Sequence, residues 1–376
     1  MKMRSLWALV AVFALVVAAC SPSDGDATDT TQAPATTEAP ATTEAAPDPT
    51  TTEAAEAVLG TPERPVQVLF VPSVSAEAIT AGGDIMADFL EEATGLSFEV
   101  SVPTSYAATI EEMCAAPADT MGFIPGFGYV LASQLCGVDV SFSAVRFGWG
   151  VYWSQILVGR DSDIETLADL DGKTWAIPDL GSTSGYLVPL VDLNEAGVTP
   201  GEIVEAGNHG PAALAVYNGE ADFATTFFSP PRSEAGWAPG DDPFVPEDLV
   251  ASCAPTEEGR LFCGENEEFR VLDARAQTVT DAPDIIQEVK ILTISSAIPN
   301  DTLSFGPDFP TDIRAQIEVA LVAFAAECDD NEDCLWNQSI GHPDFYEWTS
   351  LAPAADADYD QLRKVVETAG IELDDL

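Results

Sequence analysis

The chain has 376 residues, with 63 Asp and Glu against 14 Lys and Arg, which gives a formal net charge of −49. So large an acidic excess excludes nucleic acid as a partner, because too few cations are available to neutralise phosphates. Residues 61–376 exceed the length that one hydrophobic core normally serves, so two domains are expected there.

The first twenty residues have the pattern of an export signal. Lys2 and Arg4 precede an apolar stretch, residues 6–17, which is too short for a membrane-spanning helix. Val17-Ala-Ala-Cys20 then matches the bacterial lipobox, in which the cysteine is lipidated and becomes the mature N-terminus. The alternative is an ordinary secretory signal with an incidental cysteine. We predict lipidation of Cys20, which would tether the protein to the outer face of the cytoplasmic membrane, in the periplasm or at the cell surface.

Residues 21–60 are rich in Thr, Ala, Pro and Glu, and Ala-Pro-Ala-Thr-Thr-Glu occurs at 33–38 and again at 39–44. A segment of this composition cannot bury a core. It is predicted to be a disordered tether that holds a globular body away from the membrane.

In residues 61–153, predicted strands alternate with predicted helices. The strands are expected at 66–71, 96–102 and 121–124, and the helices at 84–93, 106–114 and 129–135. This alternation favours a mostly parallel sheet flanked by helices. Two long aromatic-rich strands, 140–147 and 151–158, then predict a crossing into a second lobe.

The second lobe is predicted to span residues 154–290. Strands are expected at 174–177, 202–205 and 221–226. Helices are expected at 164–170, from the hydroxyl turn (Ser182, Thr183 and Ser184) to residue 195, and at 211–217. Residues 229–268, rich in Pro, Gly and Asp, are interpreted as a surface insertion. A strand at 289–295 would return the chain to the first lobe, where helices are expected at 313–328 and 359–369. The predicted fold is therefore α/β with two lobes (61–153 with 291–376, and 154–290), a cleft between them, and two crossing strands as the hinge.

Three consecutive hydroxyl residues, Ser182, Thr183 and Ser184, lie between a predicted buried strand and a predicted helix. A helix start carries unpaired N–H groups and partial positive charge. With three hydroxyls added, it can cradle a small oxyanion without a cation. The alternative is an ordinary N-cap, but a cap needs only one hydroxyl. The sequence therefore favours an anion site.

Six cysteines remain after Cys20, an even number that suits disulfides in an oxidising compartment. Proximity favours Cys114–Cys136, Cys253–Cys263 and Cys328–Cys334, although six cysteines allow fifteen pairings. A metal site is rejected because no CxxC motif occurs and only His209 and His342 are available. No cofactor is implied.

Catalysis is also not expected. The segment Gly181–Gly185 resembles the hydrolase motif G-x-S-x-G, but its central residue is Thr183. Neither histidine lies beside a nucleophile motif that it could serve as a base.

The body resembles the substrate-binding proteins of phosphate, phosphite and phosphonate ABC transporters, which have the type II periplasmic-binding fold. The most specific block is Leu167-Ala-Asp-Leu-Asp-Gly-Lys173 followed by Ile177-Pro-Asp-Leu-Gly-Ser-Thr-Ser-Gly-Tyr-Leu187. Further matching blocks are residues 104–110, 122–132, 207–209, 215–222, 295–299 and 357–363. The resemblance covers nearly all of residues 66–375 outside the 229–268 insertion.

The resemblance implies a small phosphorus oxyanion (phosphonate, phosphite or phosphate) bound in the cleft and delivered to an ABC permease by a monomeric binding protein. Ser182, Thr183 and Ser184 would donate to its oxygens. The further ligand residues implied are Tyr106 and Tyr129 from the first lobe, His209 as a donor, and Asp222 as the acceptor of a P–OH proton or an amino group.

A carboxylate facing the ligand would disfavour a fully ionised sulfate, because that ion has no proton to donate. The alternatives left open are another small anion such as a sulfonate, and a ligand sensor with the same fold.

Overall fold

The computed structural model describes residues 57–328 and 333–371. The described residues belong to one compact unit, Ala55–Leu376. The predicted signal peptide, the lipidation site at Cys20 and nearly all of the predicted tether lie outside the described residues. Among the residues that are described, no helix has both the length and the apolar composition to cross a membrane.

The strands of the described part are numbered β1–β16 in chain order. They are Val66–Phe70, Phe98–Ser101, Thr120–Ile124, Asp139–Val145, Val151–Gly159, Trp175–Ile177, Ile203–Glu205, Phe223–Phe228, Arg232–Ser233, Ala254–Pro255, Leu261–Cys263, Phe269–Arg270, Val289–Ile294, Ile298–Pro299, Thr302–Phe305 and Ser350–Pro353.

The α-helices of the same part are numbered α1–α10. They are Ala76–Thr94, Tyr106–Ala115, Gly126–Cys136, Val188–Glu195, His209–Tyr217, Glu247–Val250, Ile285–Glu288, Thr311–Ala326, Leu335–Gln338 and Asp360–Ala369. Short 3₁₀ segments occur at Leu167–Leu170, Ala274–Thr278 and Asp356–Tyr359, and a π-helical turn at Thr183–Leu187.

Two six-stranded sheets form the framework. The first sheet has the order β16-β4-β15-β3-β1-β2, and the second contains β13-β5-β8-β6-β7, with β14 paired to the start of β5. We call the part built on the first sheet lobe 1 and the part built on the second sheet lobe 2. The predicted two-lobed α/β fold is confirmed.

Both sheets are mixed, whereas mostly parallel sheets were predicted. In lobe 1, β1 is parallel to β2 and β3, but β15 lies antiparallel to both β3 and β4. In lobe 2, β6 is parallel to β7 and β8, but β5 is antiparallel to β8 and β13. Of the antiparallel strands, β5 and β15 each follow a crossing of the chain from the other lobe, whereas β16 lies antiparallel to β4 at the edge of the first sheet. The predicted strand at 289–295 pairs within the second sheet as β13, and the chain returns to lobe 1 after it.

The long helix α1 begins eight residues before the predicted start at residue 84. Ser75 caps it by accepting from Ala78 N, and Gly95 ends it in the left-handed conformation. The sequence did not predict this early start, because Gly82 and Gly83 lie within the helix and glycine is a poor helix former. In the structure they allow close packing: a Cβ on Gly82 would lie 2.5 Å from Phe345 Cδ1, and one on Gly83 would lie 2.8 Å from Val100 Cγ1.

The predicted surface insertion at 229–268 is a packed substructure. It contributes three strands to a four-stranded antiparallel sheet with the order β10-β11-β12-β9, and the fourth strand, β12, follows directly after it. Val250, Leu261, Cys263 and Phe269 are buried in the core of lobe 2. We call this substructure the inserted sheet. Its strands are only two or three residues long. Strands this short show no alternation of apolar and polar residues from which they could be predicted.

The three disulfides have the pairing that proximity predicted. They join Cys114 to Cys136, Cys253 to Cys263, and Cys328 to Cys334. The first ties the end of α2 to the end of α3, and the second lies within the inserted sheet.

A buried ion pair connects the 3₁₀ segment Ala274–Thr278 to the start of β13. Arg275 donates from Nε and Nη2 to the Asp273 carboxylate at 2.9 and 2.8 Å, and from Nη1 to the carbonyl of Val289 at 3.1 Å. The two side chains are only 2% and 4% exposed. Each guanidinium nitrogen of Arg275 has an acceptor, so the ion pair fixes the conformation of this segment. Gln277 lies in the segment and reaches the cleft.

Replacing Asp273 with Ala should lower the free energy of unfolding by about 3–5 kcal/mol, because the guanidinium of Arg275 would stay buried without a counter-charge. The matched control is Asp139→Ala, which removes a 58% exposed partner of Arg314 and should cost less than about 1 kcal/mol. Chemical denaturation measures both. Equal losses in the two variants would contradict the structural role of the buried pair.

Candidate ligand-binding site

A cavity of about 60 Å³ lies between the two lobes. A cavity needs roughly 10–15 Å³ to hold one water, so this one is large enough for a small polyatomic ion. It lies at the carboxyl ends of β3 and β4 in lobe 1 and of β6, β7 and β8 in lobe 2, where open α/β sheets bind their ligands. Its polar walls include Ser73, Tyr106, Arg146, Asp301 and Glu347 from lobe 1, and Tyr152, Ser182, Thr183, Ser184, His209 and Gln277 from lobe 2.

The three predicted hydroxyl residues all reach this cavity and are at most 2% exposed. Ser182 has extended backbone angles, and its Oγ accepts from Gly185 N at 3.1 Å, as in an ordinary N-cap. The π-helical turn from Thr183 runs directly into α4. The N-cap explains the hydrogen bond that Ser182 Oγ accepts. It does not use the hydroxyl hydrogens of Ser182, Thr183 and Ser184, which can be donated to a ligand.

Two glycines make this turn possible. A Cβ on Gly181 would lie 2.5 Å from Tyr106 Cβ in lobe 1, and a Cβ on Gly185 would overlap the ring of Pro178. A side chain at either position would force the turn away from its neighbours. The spacing of Gly181 and Gly185 therefore reflects close approach of the backbone to lobe 1 and to the preceding residues.

The turn is joined to lobe 1 by hydrogen bonds. Phe127 N, at the start of α3, donates to Thr183 Oγ1 at 2.9 Å. The Asp179 carboxylate accepts from Gly181 N at 2.7 Å and faces the backbone N–H of Tyr106 in lobe 1. The structure thus has the two lobes in contact around the cavity.

Three tyrosines, Tyr106, Tyr152 and Tyr346, line the cavity, and only Tyr106 was predicted. The hydroxyl of Tyr346 donates to the carbonyl of Val71 at 2.7 Å, which leaves the phenols of Tyr106 and Tyr152 as ligand donors. Tyr106 is the first residue of α2, which Ser105 caps, and it is 2% exposed. Tyr152 lies on the crossing strand β5, and its phenol lies near the side chains of Ser184 and Thr183. Burial raises the pKa of both phenols, so both stay protonated and can donate. The aromatic-rich sequence of this strand was the one available signal for Tyr152.

His209 is buried in the cavity wall as a neutral imidazole. Its Nδ1 accepts from Phe227 N at 3.3 Å, which leaves the proton on Nε2. Burial, assisted by the charge of Arg146, lowers the pKa of His209 to about 3. The predicted donor is thus an uncharged N–H group.

Arg146 corrects the expectation of a cradle without a cation. It follows β4, lines the cavity and is 15% exposed. Its Nε donates to the carbonyl of Tyr346 at 2.9 Å, and its Nη2 donates to Asp301 Oδ2 at 2.6 Å. The site therefore contains a cation, but one whose charge is balanced by a carboxylate within the same lobe. Its position after a strand end, in a chain with so few cations, was a signal that sequence reasoning missed.

Glu347 is the second carboxylate of the cavity and lies near the other lobe. Burial raises its pKa to about 7, against the opposing effect of Arg270. Arg270, from the inserted sheet, has Nη2 3.8 Å from Glu347 Oε1, and its guanidinium lies 5.6 Å from the ring centroid of Phe147. The inserted sheet therefore contacts lobe 1 at the edge of the cavity.

The prediction for Asp222 is wrong in its placement. Asp222 Oδ2 accepts from Thr174 N at 2.9 Å, and Oδ1 lies 4.0 Å from Lys173 Nζ. Asp222 precedes β8 and so lies at the amino end of that strand, whereas the cavity lies at the carboxyl end. It cannot meet a ligand held by the hydroxyl turn.

Tyr129 also does not line the cavity. Its hydroxyl donates to Asp356 Oδ1 at 2.7 Å, and its ring packs edge-on against Tyr359, with centroids 4.9 Å apart. It lies one turn into α3 and faces the C-terminal segment. Tyr129 therefore joins α3 to that segment and has no contact with the cavity.

The imidazole of His209 should stay neutral from pH 8 down to pH 5. The unfolded chain takes up a proton at this residue below about pH 6.5 and the folded chain does not, so the free energy of unfolding falls with decreasing pH by about 1.4 kcal/mol per unit from this group alone. The chain has two histidines, so ¹⁵N NMR of the His342→Gln variant shows a single imidazole. A titration of that signal near pH 6.5 would contradict the buried neutral donor.

Residues 68–359 match the family described as ABC transporter, phosphonate, periplasmic substrate-binding protein. The phosphate-import protein PhnD of Mycolicibacterium smegmatis is 32% identical over 195 residues, which are 48% of this chain and 58% of that relative. The alignment thus spans somewhat over half the length of this curated relative.

Solved structures share the fold at low sequence identity. A binding protein component of an ABC phosphonate transporter from Pseudomonas aeruginosa has a TM-score of 0.59 at 17% identity, over 80% of this chain and 84% of that one. PhnD1 from Prochlorococcus marinus, in complex with methylphosphonate, has a TM-score of 0.58 at 14% identity, over 81% of this chain and 98% of that one. With the family match over most of its length, the chain belongs to the periplasmic substrate-binding proteins of phosphonate ABC transporters.

Proposed function

We propose that the chain captures a small phosphorus oxyanion in the cavity between its lobes and delivers it to an ABC permease. The observation that carries this proposal is the set of three buried hydroxyls, Ser182, Thr183 and Ser184, at the start of a helix and on the wall of a cavity the size of one small anion. The family match and the names of the relatives support phosphorus as the central atom.

Uncharged donors dominate this cavity. The three hydroxyls, the phenols of Tyr106 and Tyr152, and Nε2–H of His209 can each donate one hydrogen bond. Donors of this kind, together with the partial positive charge of a helix start, stabilise an anion at short range. Such a site works in a chain with a net charge of −49, since it does not depend on long-range attraction.

Release and capture require the lobes to separate. Two crossing segments join the sheets, one between β4 and β5 and one that includes β14. We assign the hinge to these segments, since a few residues between rigid sheets can absorb such a rotation. The closed form, with the lobes joined at the hydroxyl turn, is the form offered to the permease.

The proposal has three further features: a lipid anchor, an oxidising compartment and the absence of turnover. The lipobox supports a lipid anchor at Cys20, and the tether would let the monomeric body reach a permease in the same membrane. The disulfides are consistent with an oxidising compartment. We propose binding without turnover, which an assay with p-nitrophenyl phosphate tests directly.

Phosphite, methylphosphonate, 2-aminoethylphosphonate or phosphate should raise the melting temperature more than sulfate does. A ligand at about 100 times its Kd stabilises the folded state by about 2.7 kcal/mol. Ser184→Ala should abolish most of this shift, because it removes a donor from the cavity without removing the N-cap oxygen of Ser182. The control is Ser162→Ala, which removes a hydroxyl that donates to the carbonyl of Gly159 on the surface of lobe 2. A full shift in the Ser184 variant would remove the hydroxyl turn from the binding site.

Gly181→Ala should weaken ligand binding at least about tenfold and leave the stability of the unliganded protein nearly unchanged. The added methyl would lie 2.5 Å from Tyr106 Cβ across the contact between the lobes and 3.1 Å from Asp179 Oδ1 within lobe 2, so its main effect falls on the closed form. Gly159→Ala is the matched control, because its Cβ would meet nothing closer than 3.8 Å. Calorimetric titration and thermal melting measure the two quantities. Unchanged affinity in the Gly181 variant would contradict closure at this contact.

A further inference from the structure

Two helices of lobe 1 begin at the contact with the hydroxyl turn. Tyr106 is the first residue of α2 and lies against Gly181, where an added Cβ would lie 2.5 Å from Tyr106 Cβ. Phe127, in the first turn of α3, donates its N–H to Thr183 Oγ1 at 2.9 Å. Tyr106 also lines the cavity. The part of this contact that lobe 1 supplies is therefore divided between two separate helices.

The same two helices are covalently joined at their other ends. A disulfide connects Cys114, the next-to-last residue of α2, to Cys136, the last residue of α3. The two helices thus run side by side from the contact to the disulfide, over roughly 15 Å at a rise of about 1.5 Å per residue. They pack closely between these ends, since a Cβ on Gly128 would lie 3.6 Å from Ile110 Cδ1. The pair forms one cross-linked unit that presents both helix starts to lobe 2.

The disulfide opposes a movement that packing alone permits. Packed helices shift past one another by about 1–2 Å in conformational transitions, whereas a binding constellation must be held within about 0.5 Å of its productive geometry. A slide of α2 along α3 would move the phenol of Tyr106 relative to the ligand, while the bond from Phe127 N to Thr183 Oγ1 stayed in place. A covalent bond at the far end of both helices resists this slide.

We propose that the Cys114–Cys136 disulfide positions the part of the binding site that lobe 1 supplies, and thereby strengthens anion binding. It keeps the start of α2 in register with the start of α3, so that both meet the hydroxyl turn when the lobes close. This inference rests on the proposed function and adds to it a dependence of ligand affinity on the redox state of the chain. Both cysteines are partly exposed, so a small thiol reductant can reach the bond.

Reduction by dithiothreitol is a two-electron step. The S–S bond breaks, and Cys114 and Cys136 each gain a proton and become thiols. Dithiothreitol loses two electrons and two protons as it forms its cyclic disulfide. After this step α2 and α3 are no longer covalently joined at their ends.

Calorimetric titration with methylphosphonate is the first test. The Cys114→Ala/Cys136→Ala variant, with its fold verified by circular dichroism, should bind at least about tenfold more weakly than the oxidised wild-type protein, because a misplaced Tyr106 weakens one hydrogen bond to an anion. The matched control is Cys253→Ala/Cys263→Ala, which removes the disulfide of the inserted sheet and should keep wild-type affinity. Wild-type affinity in a folded Cys114→Ala/Cys136→Ala variant would overturn the inference.

The wild-type protein provides a second test that needs no variant. Coupling between two equilibria is reciprocal. If reduction weakens binding about tenfold, bound methylphosphonate must make the Cys114–Cys136 bond about tenfold harder to reduce, which lowers its reduction potential by about 30 mV for a two-electron couple. Equilibration in dithiothreitol buffers, followed by alkylation and mass spectrometry of the cysteine peptides, measures the potential of each disulfide with and without the ligand.

The potential of the Cys114–Cys136 bond should fall by at least about 30 mV when methylphosphonate is added, and that of the Cys253–Cys263 bond should stay the same. Circular dichroism verifies that the reduced chain stays folded. An unchanged potential, or an equal shift at both disulfides, would show that the Cys114–Cys136 bond serves general stability only and would refute the inference.

Failure of this inference and failure of the proposed function give different results. If the oxidised protein binds no phosphorus oxyanion, the proposed function fails. If methylphosphonate binds equally well with and without the Cys114–Cys136 disulfide, the proposed function stands and the positioning role of the disulfide fails.

Discussion

The binding site depends on the close contact between the hydroxyl turn of lobe 2 and the start of two helices in lobe 1. Phe127 N donates to Thr183 Oγ1, and Gly181 allows its backbone to lie against Tyr106. The same few residues thus hold the lobes together and form the wall of the cavity. Because the hydroxyls proposed to bind the anion lie at this contact, the proposal couples binding to closure: a ligand that orders the turn would also stabilise the closed form.

The electrostatics of the cavity follow from the acidity of the chain. A protein with a net charge of −49 repels anions at long range, so it needs strong interactions at short range. It obtains them from hydroxyls, phenols and a buried neutral His209, which donate without carrying charge. Arg146 is the one cation among the cavity residues, and it is paired with Asp301. The pair has no net charge, so Arg146 acts mainly by orienting Asp301 and through its local electric field. The cavity thus combines many neutral donors with a fixed acceptor.

Sequence patterns predicted the α/β class, the crossing strands, the disulfide pairing and the location of the hydroxyl turn. These features are local: a short buried strand followed by hydroxyls, or two cysteines close in the chain. Residues contributed by distant segments were missed, because Arg146, Asp301 and Glu347 come together only when β4, β15 and the segment before β16 are assembled. Asp222 was misplaced for a similar reason, since its distance from the turn depends on which end of β8 faces the cleft.

A crystal structure of the chain grown with methylphosphonate tests the central claim most directly. The phosphonate group should lie between the lobes, with its oxygens within hydrogen-bonding distance of the hydroxyls of Ser182, Thr183 and Ser184 and of Nε2 of His209. A phosphonate group bound elsewhere, or a hydroxyl turn that contacts only protein atoms when the ligand is bound, would contradict the proposed site.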